Sequence, residues 1–393
     1  MNRQTSLFVD AARGLAALAV LFTHVEASAL VTLADIPAEH RGALAYLAWF
    51  FYGFAHQAVV VFFVLSGFLI GGAVLAQAER GRCFFRRYLV DRTIRIYLVL
   101  VPALALTIVL DTLGRRWFGA AGVYDLPIYA DRSSLGVLAA NLLNLQDIFA
   151  RYFGTDSALW TLSHEYWYYV AFGLVGVGFS SGYQKPLRVA ALAGALAVTA
   201  IMSLTLSYHL FGFALWLSGA CAARISRPIV ASRIALATFV LVAVGLRVGL
   251  RYSLVEIWWI GGLADAAVAF AFANLLLSLR FDDGEIWRFS LWRGHRFLSE
   301  FSFSLYATHL PVVVFLCAAA QDRLGFGWRS APVAWSRWAL MAGVLLAAMA
   351  AARLFWRATE ANTQALRAFF RGWLSDPPAR NYFSRRALQT PPQ

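Results

Sequence analysis

An arginine and a histidine stand out in the apolar segment near the N-terminus. Arg13 and His24 are eleven residues apart, so on an α-helix they lie within about 20° of one face and about 16 Å apart along the axis. Imidazole titrates near neutral pH and can act as a general base. The pair would suit a ligand whose anionic end contacts the arginine and whose reactive group reaches the histidine. A single helical histidine is more often a polar residue satisfied inside the protein, so both interpretations stay open.

A second group of polar residues lies at the start of a later hydrophobic segment, LWTLSHEYWYY, at residues 159–169. Glu165 and Tyr169 are four residues apart and share a helix face, so the phenol can donate a hydrogen bond to the carboxylate. Aromatic residues alone would indicate an interfacial belt, but a belt does not explain a carboxylate next to His164. The other residues predicted for this site are Trp160 and Ser163.

Ionisable residues inside hydrophobic segments need a partner or a task. Ser302, Tyr306 and His309 occur at helical spacing in a third segment, where positions i, i+4 and i+7 form one stripe of a helix. A polar stripe within a membrane span is expected to face a cavity. By contrast, Arg247 and Asp265 fall in two separate hydrophobic segments, and we expect them to pair with each other.

A serine followed by glycine interrupts the aromatic segment VFFVLSGFLIGG at residues 61–72. Gly67 and Gly71 form a small-xxx-small pattern, which predicts close packing against another helix. The Ser66 hydroxyl can line a cavity and contact substrate. No G-x-S-x-G turn surrounds it, so it is not predicted to be a nucleophile.

The composition defines the class of protein that must position these residues. Of 393 residues, 60% are hydrophobic and 14% are charged, with a mean hydropathy of +0.63. Apolar stretches of about 18 residues recur along the chain, each long enough to cross a bilayer. The net charge of +13 is explained by the positive-inside rule and by anionic lipid or an anionic cytosolic substrate, not by nucleic-acid binding. The three cysteines, Cys83, Cys221 and Cys317, lack metal-site spacing.

Ten segments are predicted to span the membrane, so we expect an all-α, polytopic transmembrane helical bundle. The loop between the second and third spans, residues 79–95, has a net charge of +4 and is therefore predicted to be cytoplasmic. Ten crossings then place both termini in the cytoplasm. The positively charged loop at residues 321–337 is an exception, because it would lie outside. The predicted spans are residues 12–31, 58–78, 94–113, 159–179, 187–206, 209–224, 233–250, 257–279, 297–320 and 334–356.

An eleventh apolar segment, residues 135–149, is short and rich in amides. It is predicted to be an interfacial or re-entrant helix on the outer face. The transmembrane domain is assigned to residues 1–356 and a basic cytoplasmic tail to residues 357–393. Residues 355–374 interleave aromatic residues with arginines, which is typical of an amphipathic helix on the inner leaflet or of a solvated tail.

The chain resembles the integral-membrane acyltransferase 3 family, which includes O-acetyltransferases of bacterial surface glycans. Two positions depart from the family pattern, because His164 stands where an apolar residue is usual and Tyr166 replaces a common second acidic residue. The resembling motifs, in chain order, are residues 10–15 with His24, residues 62–68, Arg92 and Arg95 in DRTIRIYLVLVPAL, residues 160–165 with Tyr169, and residues 302–306 with His309.

The resemblance implies a cytosolic acyl-CoA donor, most often acetyl-CoA, and an acceptor hydroxyl, usually of a sugar or glycan, at the outer face of a bacterial inner membrane. No permanently bound cofactor and no metal are expected. Guanidinium groups suit the phosphates of coenzyme A, so Arg13, Arg92 and Arg95 are expected to bind them. The residues expected to contact substrate elsewhere are Ser66, Trp160, Ser163, Tyr169 and Tyr306.

Within that implied reaction, His24 is expected to be the general base. His309 or Glu165 could orient it, bind the acceptor or stabilise the oxyanion, and the sequence leaves these roles open. A transient acyl-histidine is an alternative, but direct transfer needs fewer steps. The rival hypothesis is a transporter or flippase of glycans or lipid-linked sugars, because polar residues inside a bundle also line conduction paths. The absence of inverted repeats in the sequence disfavours it.

Overall fold

The fold is helical wherever the computed structural model describes the chain, which is at residues 3–205, 208–249, 258–282 and 293–371. These residues form no β-strand, and only two isolated bridges join Leu30 to Ser330 and Gln146 to Ala150. The predicted all-α bundle is therefore confirmed. The helices are α1 Arg3–Ala29, α2 Ala43–Tyr52, α3 Ala55–Ser66, α4 Gly72–Glu79, α5 Phe85–Phe118, α6 Leu135–Leu142, α7 Trp160–Phe179, α8 Lys185–Met202, α9 His209–Ala222, α10 Ser232–Gly249, α11 Trp258–Leu279, α12 Arg293–Glu300, α13 Ser302–Leu324, α14 Trp335–Ala358 and α15 Thr363–Arg371.

Each of the ten predicted spans corresponds to one or more of these helices. In the described part of the chain, eight helical stretches are long and apolar enough to cross a membrane. Helix α7 and the 14-residue helix α9 are not among them. The chain is thus a polytopic membrane protein, while the count of ten crossings and the cytoplasmic location of both termini stay predictions.

The first and third spans begin earlier than the hydropathy pattern predicted. Helix α1 starts at Arg3 because its first turns pack inside the protein, where the buried Thr5 hydroxyl donates to the Leu279 carbonyl at 3.0 Å. Helix α5 starts at Phe85 and so includes the arginine-rich segment that had been assigned to a loop. Charged residues lower the hydropathy of a helical turn without preventing the turn from forming.

The glycine pattern of residues 61–72 brings two helices into close contact. A five-residue π-helical turn, Gly67–Gly71, joins α3 to α4 and packs against α9. A methyl group on Gly67 would overlap the Trp216 carbonyl, and one on Gly219 would overlap the Val64 carbonyl. The predicted close packing at Gly67 and Gly71 is confirmed.

The eleventh apolar segment does not form a crossing helix. Helix α6 has eight residues and is about 12 Å long, well short of the bilayer core. The chain then turns at Asn144 and Asp147, both with positive φ. The buried Asn141 side chain stabilises this irregular backbone, because it donates to the Val137 and Arg151 carbonyls and accepts from the Phe153 N–H. The amides of this segment therefore have a structural task.

The predicted ion pair between Arg247 and Asp265 is wrong. Arg247 donates to the backbone carbonyls of Trp49 and Phe50, the latter at 2.9 Å. Asp265 instead accepts from the Tyr208 hydroxyl at 2.7 Å and contacts His56 Nε2 at 2.8 Å. The last backbone carbonyls of α2 have no partner within the helix, so they attract a cation. The hydrophobic pattern of the sequence does not show where α2 ends.

The predicted tail begins as an ordered part of the bundle. Helix α14 ends at Ala358, and α15 follows after one turn of 3₁₀ helix. Arg367 of α15 lies against Asp91 of α5, with Nε 3.6 Å from the carboxylate. The arginines beyond residue 371 lie outside the described residues, and the contact of α15 with a lipid surface stays a prediction.

Candidate active site

A cavity of about 190 Å³ lies among α1, α3, α5, α7 and α13. Most of its wall is apolar, with aromatic rings from Phe62, Phe63 and Phe303. The polar side chains are supplied by five different elements, which is why no single sequence segment contains the site. They are Arg13, Ser66, Arg92, Arg95, Thr161, Glu165, Tyr169, Ser302 and Tyr306.

Three arginines line the cavity, and they are the three that were predicted to bind phosphates. Arg92 and Arg95 are three residues apart on α5, while Arg13 comes from α1. Among the described residues, none of the three has a carboxylate within ion-pair distance. Arg92 lies over the Tyr88 ring and Arg95 over the Phe303 ring, each at 5.9 Å from the centroid. Guanidinium groups held by aromatic rings next to an open cavity form a site for an anion with several acceptor oxygens.

Ser66, Tyr169 and Glu165 form a hydrogen-bond chain along one wall. The Tyr169 hydroxyl donates to Glu165 at 3.0 Å, which confirms the predicted pair. The Trp216 indole N–H donates to Ser66 Oγ, and Ser66 Oγ lies 3.0 Å from the Tyr169 hydroxyl. Because Tyr169 gives its proton to Glu165, Ser66 donates to Tyr169. The Ser66 hydroxyl is thus held in a chain of donors, and the sequence had not indicated Trp216 as its partner.

Tyr306 of α13, one of the residues predicted to contact substrate, lines the cavity. Its hydroxyl oxygen accepts from Thr161 at 2.7 Å, and its ring packs on Phe62 with centroids 5.8 Å apart. Thr161 also lines the cavity, although the sequence analysis had not named it as a site residue. The signal was available, because Thr161 lies four residues before Glu165 on one helix face.

The two predicted catalytic histidines meet next to Tyr306. The His24 and His309 rings are 5.0 Å apart, and the His309 ring is 6.1 Å from the Tyr306 ring. Both lie just beyond the residues that line the cavity. His309 Nδ1 is 2.9 Å from the carbonyls of Leu305 and Tyr306, so we assign the proton to Nδ1. His309 Nε2 is then an acceptor, and it is buried with no hydrogen-bond partner among the described residues.

Two of the predicted substrate contacts lie away from the cavity. Trp160 packs edge-on against Phe63, with ring centroids 6.4 Å apart. The fully buried Ser163 hydroxyl lies 2.7 Å from the Gln146 carbonyl and the Trp160 carbonyl, so it fixes the segment that follows α6.

His164 belongs to a separate cluster on another face of α7. Its Nδ1 is 3.0 Å from His209 Nδ1, and its Nε2 is 3.0 Å from the Asp147 carboxylate. Within the described ranges, no group of three or more His, Cys, Asp or Glu side chains is arranged to hold a metal ion.

The fold and the site together define an integral membrane protein whose helical bundle contains a mainly apolar cavity, lined in part by polar side chains. The family model described as an acyltransferase domain matches residues 6–357. The chain therefore belongs to the acyltransferase 3 family and is a membrane acyltransferase. The match extends from α1 to α14 and includes every residue that lines the cavity. Neither a curated protein nor a solved structure matches the chain significantly.

Proposed function

We propose that this membrane acyltransferase moves an acyl group, most simply acetyl, from cytosolic acyl-CoA to a hydroxyl of a sugar or glycan at the outer face of a bacterial inner membrane. One observation carries the proposal. One cavity has three arginines in its wall, none of them with a carboxylate of the described residues within ion-pair distance, and it is also lined by Tyr306, beside the His24–His309 pair.

The donor binds by its phosphates to Arg13, Arg92 and Arg95. Coenzyme A is a polyanion with a thin pantetheine arm, and guanidinium groups form bidentate hydrogen bonds with phosphate oxygens. The arm extends along the apolar wall, which excludes water from the thioester. The arginine-rich start of α5 belongs to the loop whose charge predicts a cytoplasmic location.

Acyl transfer takes place at the Tyr306 end. His24 accepts the proton of the acceptor hydroxyl as its oxygen attacks the thioester carbonyl. The carbon–sulfur bond breaks, and the proton passes to the departing thiolate, so no proton is gained or lost overall. Because Thr161 donates to the Tyr306 oxygen, the Tyr306 proton is free to stabilise the oxyanion. His309 Nε2 orients the acceptor hydroxyl or His24.

The proposal is tested with purified protein in detergent, acetyl-labelled acetyl-CoA and glycan acceptor from the cell surface. We expect specific donor binding and release of free coenzyme A that requires acceptor. A transporter would bind the glycan but neither bind nor cleave acetyl-CoA, and that result would overturn the proposal. Mass spectrometry of surface glycans from cells with and without the protein would then identify the acceptor.

The arginine assignment has a matched control on the same helix. Arg92→Ala with Arg95→Ala should raise the KM for acyl-CoA by about tenfold or more and leave the KM for acceptor unchanged. Arg86→Ala with Arg87→Ala removes the same charge from exposed positions of α5 and should change neither constant by more than about twofold. Equal effects of the two pairs would show that these arginines serve topology alone.

A further inference from the structure

Glu360 lies beyond the region that the family model matches, yet its carboxylate interacts electrostatically with arginines of the cavity. It follows α14 and precedes α15. Its carboxylate accepts a hydrogen bond from the Ser304 hydroxyl of α13 at 3.0 Å. Ser304 directly follows Phe303, over whose ring Arg95 lies at 5.9 Å, so the carboxylate is close to the site of that guanidinium group. Burial raises the pKa of the Glu360 carboxyl, and the positive charges of Arg95 and, more weakly, Arg13 lower it in part. The carboxylate stays outside ion-pair distance of both guanidinium groups.

The backbone around Glu360 is built to hold the carboxylate in place. Thr359 leaves the helical conformation, with φ −122° and ψ −89°, and so ends α14. The Thr363 hydroxyl donates to the Glu360 carbonyl at 2.5 Å and begins α15. Arg367 then fixes α15 to Asp91, one residue before Arg92. The position of the carboxylate is therefore tied to the helix that carries two of the three arginines.

The other carboxylates near the arginines have different surroundings. Glu165 also interacts electrostatically with Arg95 and Arg13, but it is part of the cavity wall and accepts from Tyr169. Asp91 is engaged by Arg367, and Asp10 acts on Arg13 from α1 itself. Glu360 is thus the acidic residue of the C-terminal segment that faces the arginines.

A cationic site for coenzyme A creates a difficulty for turnover. The product, free coenzyme A, keeps every phosphate of the donor, so the arginines bind donor and product alike. Uniform binding of this kind lowers KM without speeding the chemical step, and slow release of a tightly held product limits kcat. A negative charge near the arginines would weaken the binding of free coenzyme A and so speed its release.

We infer that Glu360 is a built-in counter-ion that weakens the hold of Arg13 and Arg95 on coenzyme A and thereby speeds product release. It acts through the arginines and is a positioning residue, not a catalytic one. The inference rests on the proposed function, because it takes acyl-CoA as the donor.

The test compares coenzyme A binding to the full-length protein and to Glu360→Gln in detergent. Removing one negative charge near the arginines that bind the phosphates should lower the dissociation constant for coenzyme A about fivefold at low ionic strength. The difference should shrink as salt is added. In steady state, KM for acyl-CoA and kcat should both fall, and inhibition by added coenzyme A should become stronger. Glu360→Asp should restore values near those of the wild type.

Glu300 offers a matched control. It is a carboxylate next to α13 that pairs with the surface residue Arg353 at 3.0 Å. Glu300→Gln makes the same charge change and should leave the coenzyme A dissociation constant within about twofold of the wild type. If Glu360→Gln and Glu300→Gln lowered the dissociation constant equally, the effect would be one of net charge, and the inference would be overturned.

The outcomes separate the two proposals. If the wild type binds no coenzyme A, both the proposed donor and the role of Glu360 are overturned. If the wild type binds coenzyme A but Glu360→Gln binds it equally or more weakly, only the inference about Glu360 is overturned. A purely structural role predicts weaker binding together with lower thermal stability, so tighter binding distinguishes the counter-ion from a structural contact.

Discussion

Two pairs of histidine rings pack together in this bundle, and they differ in their hydrogen bonds. The rings of His24 and His309 are 5.0 Å apart, and those of His164 and His209 are 5.2 Å apart. In the second pair, the Nδ1 atoms are 3.0 Å from each other and Asp147 contacts the remaining nitrogen of His164. In the first pair, His309 Nε2 is buried without a hydrogen-bond partner in the described part of the chain, and the His24 ring contacts the His309 ring without a hydrogen bond to any described residue.

The comparison shows that burial and proximity do not by themselves distinguish a reactive imidazole from a structural one. Nearly all buried polar atoms in native proteins are hydrogen-bonded, so a buried nitrogen without a partner needs an explanation. A substrate hydroxyl supplies one for the pair beside Tyr306. The second pair has its partners inside the protein and needs none.

The largest expected effect is that of His24→Ala. Loss of a general base should lower kcat by about 10²- to 10⁴-fold. Because His24 has no hydrogen-bond partner among the described residues, the midpoint of thermal unfolding in detergent should change little. Turnover near that of the wild type would remove His24 from the mechanism. Should the alanine variant unfold, His24→Gln keeps the volume of the side chain and permits the same measurement.

His164→Ala should have the opposite profile. The change leaves Asp147 and His209 without a shared partner, so the free energy of unfolding should fall by about 1–3 kcal/mol. Activity per folded molecule should stay within about threefold of the wild type, since His164 lies outside the cavity lining. Thermal unfolding and turnover of the folded fraction are measured on the same sample. A large loss of kcat at unchanged stability would break the distinction between the two pairs.

Asp156 tests whether a buried polar group without a hydrogen-bond partner is always part of a functional site. It lies before α7, is fully buried, and neither carboxyl oxygen has a well-formed hydrogen bond in the described part of the chain. Burial, and to a lesser degree the Asp111 carboxylate, raises its pKa well above the ordinary value, with partial offsets from Thr107 and the Ala158 N–H. Asp156 is also off the cavity, so we assign it a structural role as a protonated acid.

That assignment fixes the sign of a pH effect on stability. Above the ordinary carboxyl pKa, the unfolded chain loses this proton while the folded protein keeps it. The folded state then binds more protons, and stability falls as pH rises, by at most about 1.4 kcal/mol per pH unit. Asp156→Asn mimics the protonated acid and should stabilise the protein more at pH 8 than at pH 5. The comparison of unfolding midpoints checks this, and an equal shift at both pH values would contradict it.

The sequence was most informative where contacts are local. The pairing of Glu165 with Tyr169 follows from helical periodicity and is found in the structure. The predicted cavity-facing stripe of Ser302, Tyr306 and His309 is found in part, because Ser302 and Tyr306 line the cavity and His309 does not. The glycine pattern at Gly67 likewise predicted a close helix contact. Each of these inferences needs only the repeat of one helix, which local hydrogen bonds fix.

The sequence was least informative where a side chain finds its partner far along the chain. Arg247 was assigned to Asp265 but contacts the end of α2. Ser163 was expected to contact substrate, yet it holds the backbone of the segment after α6. Polar residues in both cases satisfy backbone carbonyls that become visible only when the ends of the helices are known.

The amino-acid sequence by itself determined that this chain is a helical membrane protein and which residues share a helix face, because hydropathy and helical periodicity are properties of neighbouring residues. It also placed the arginines and histidines in order along α1, α5 and α13. Only the tertiary structure decided that His24 meets His309, that Trp216 holds Ser66 across 150 residues of chain, and that the Glu360 carboxylate accepts a hydrogen bond from Ser304. Those relationships depend on how the helices pack, which the spacing of residues within one helix does not specify.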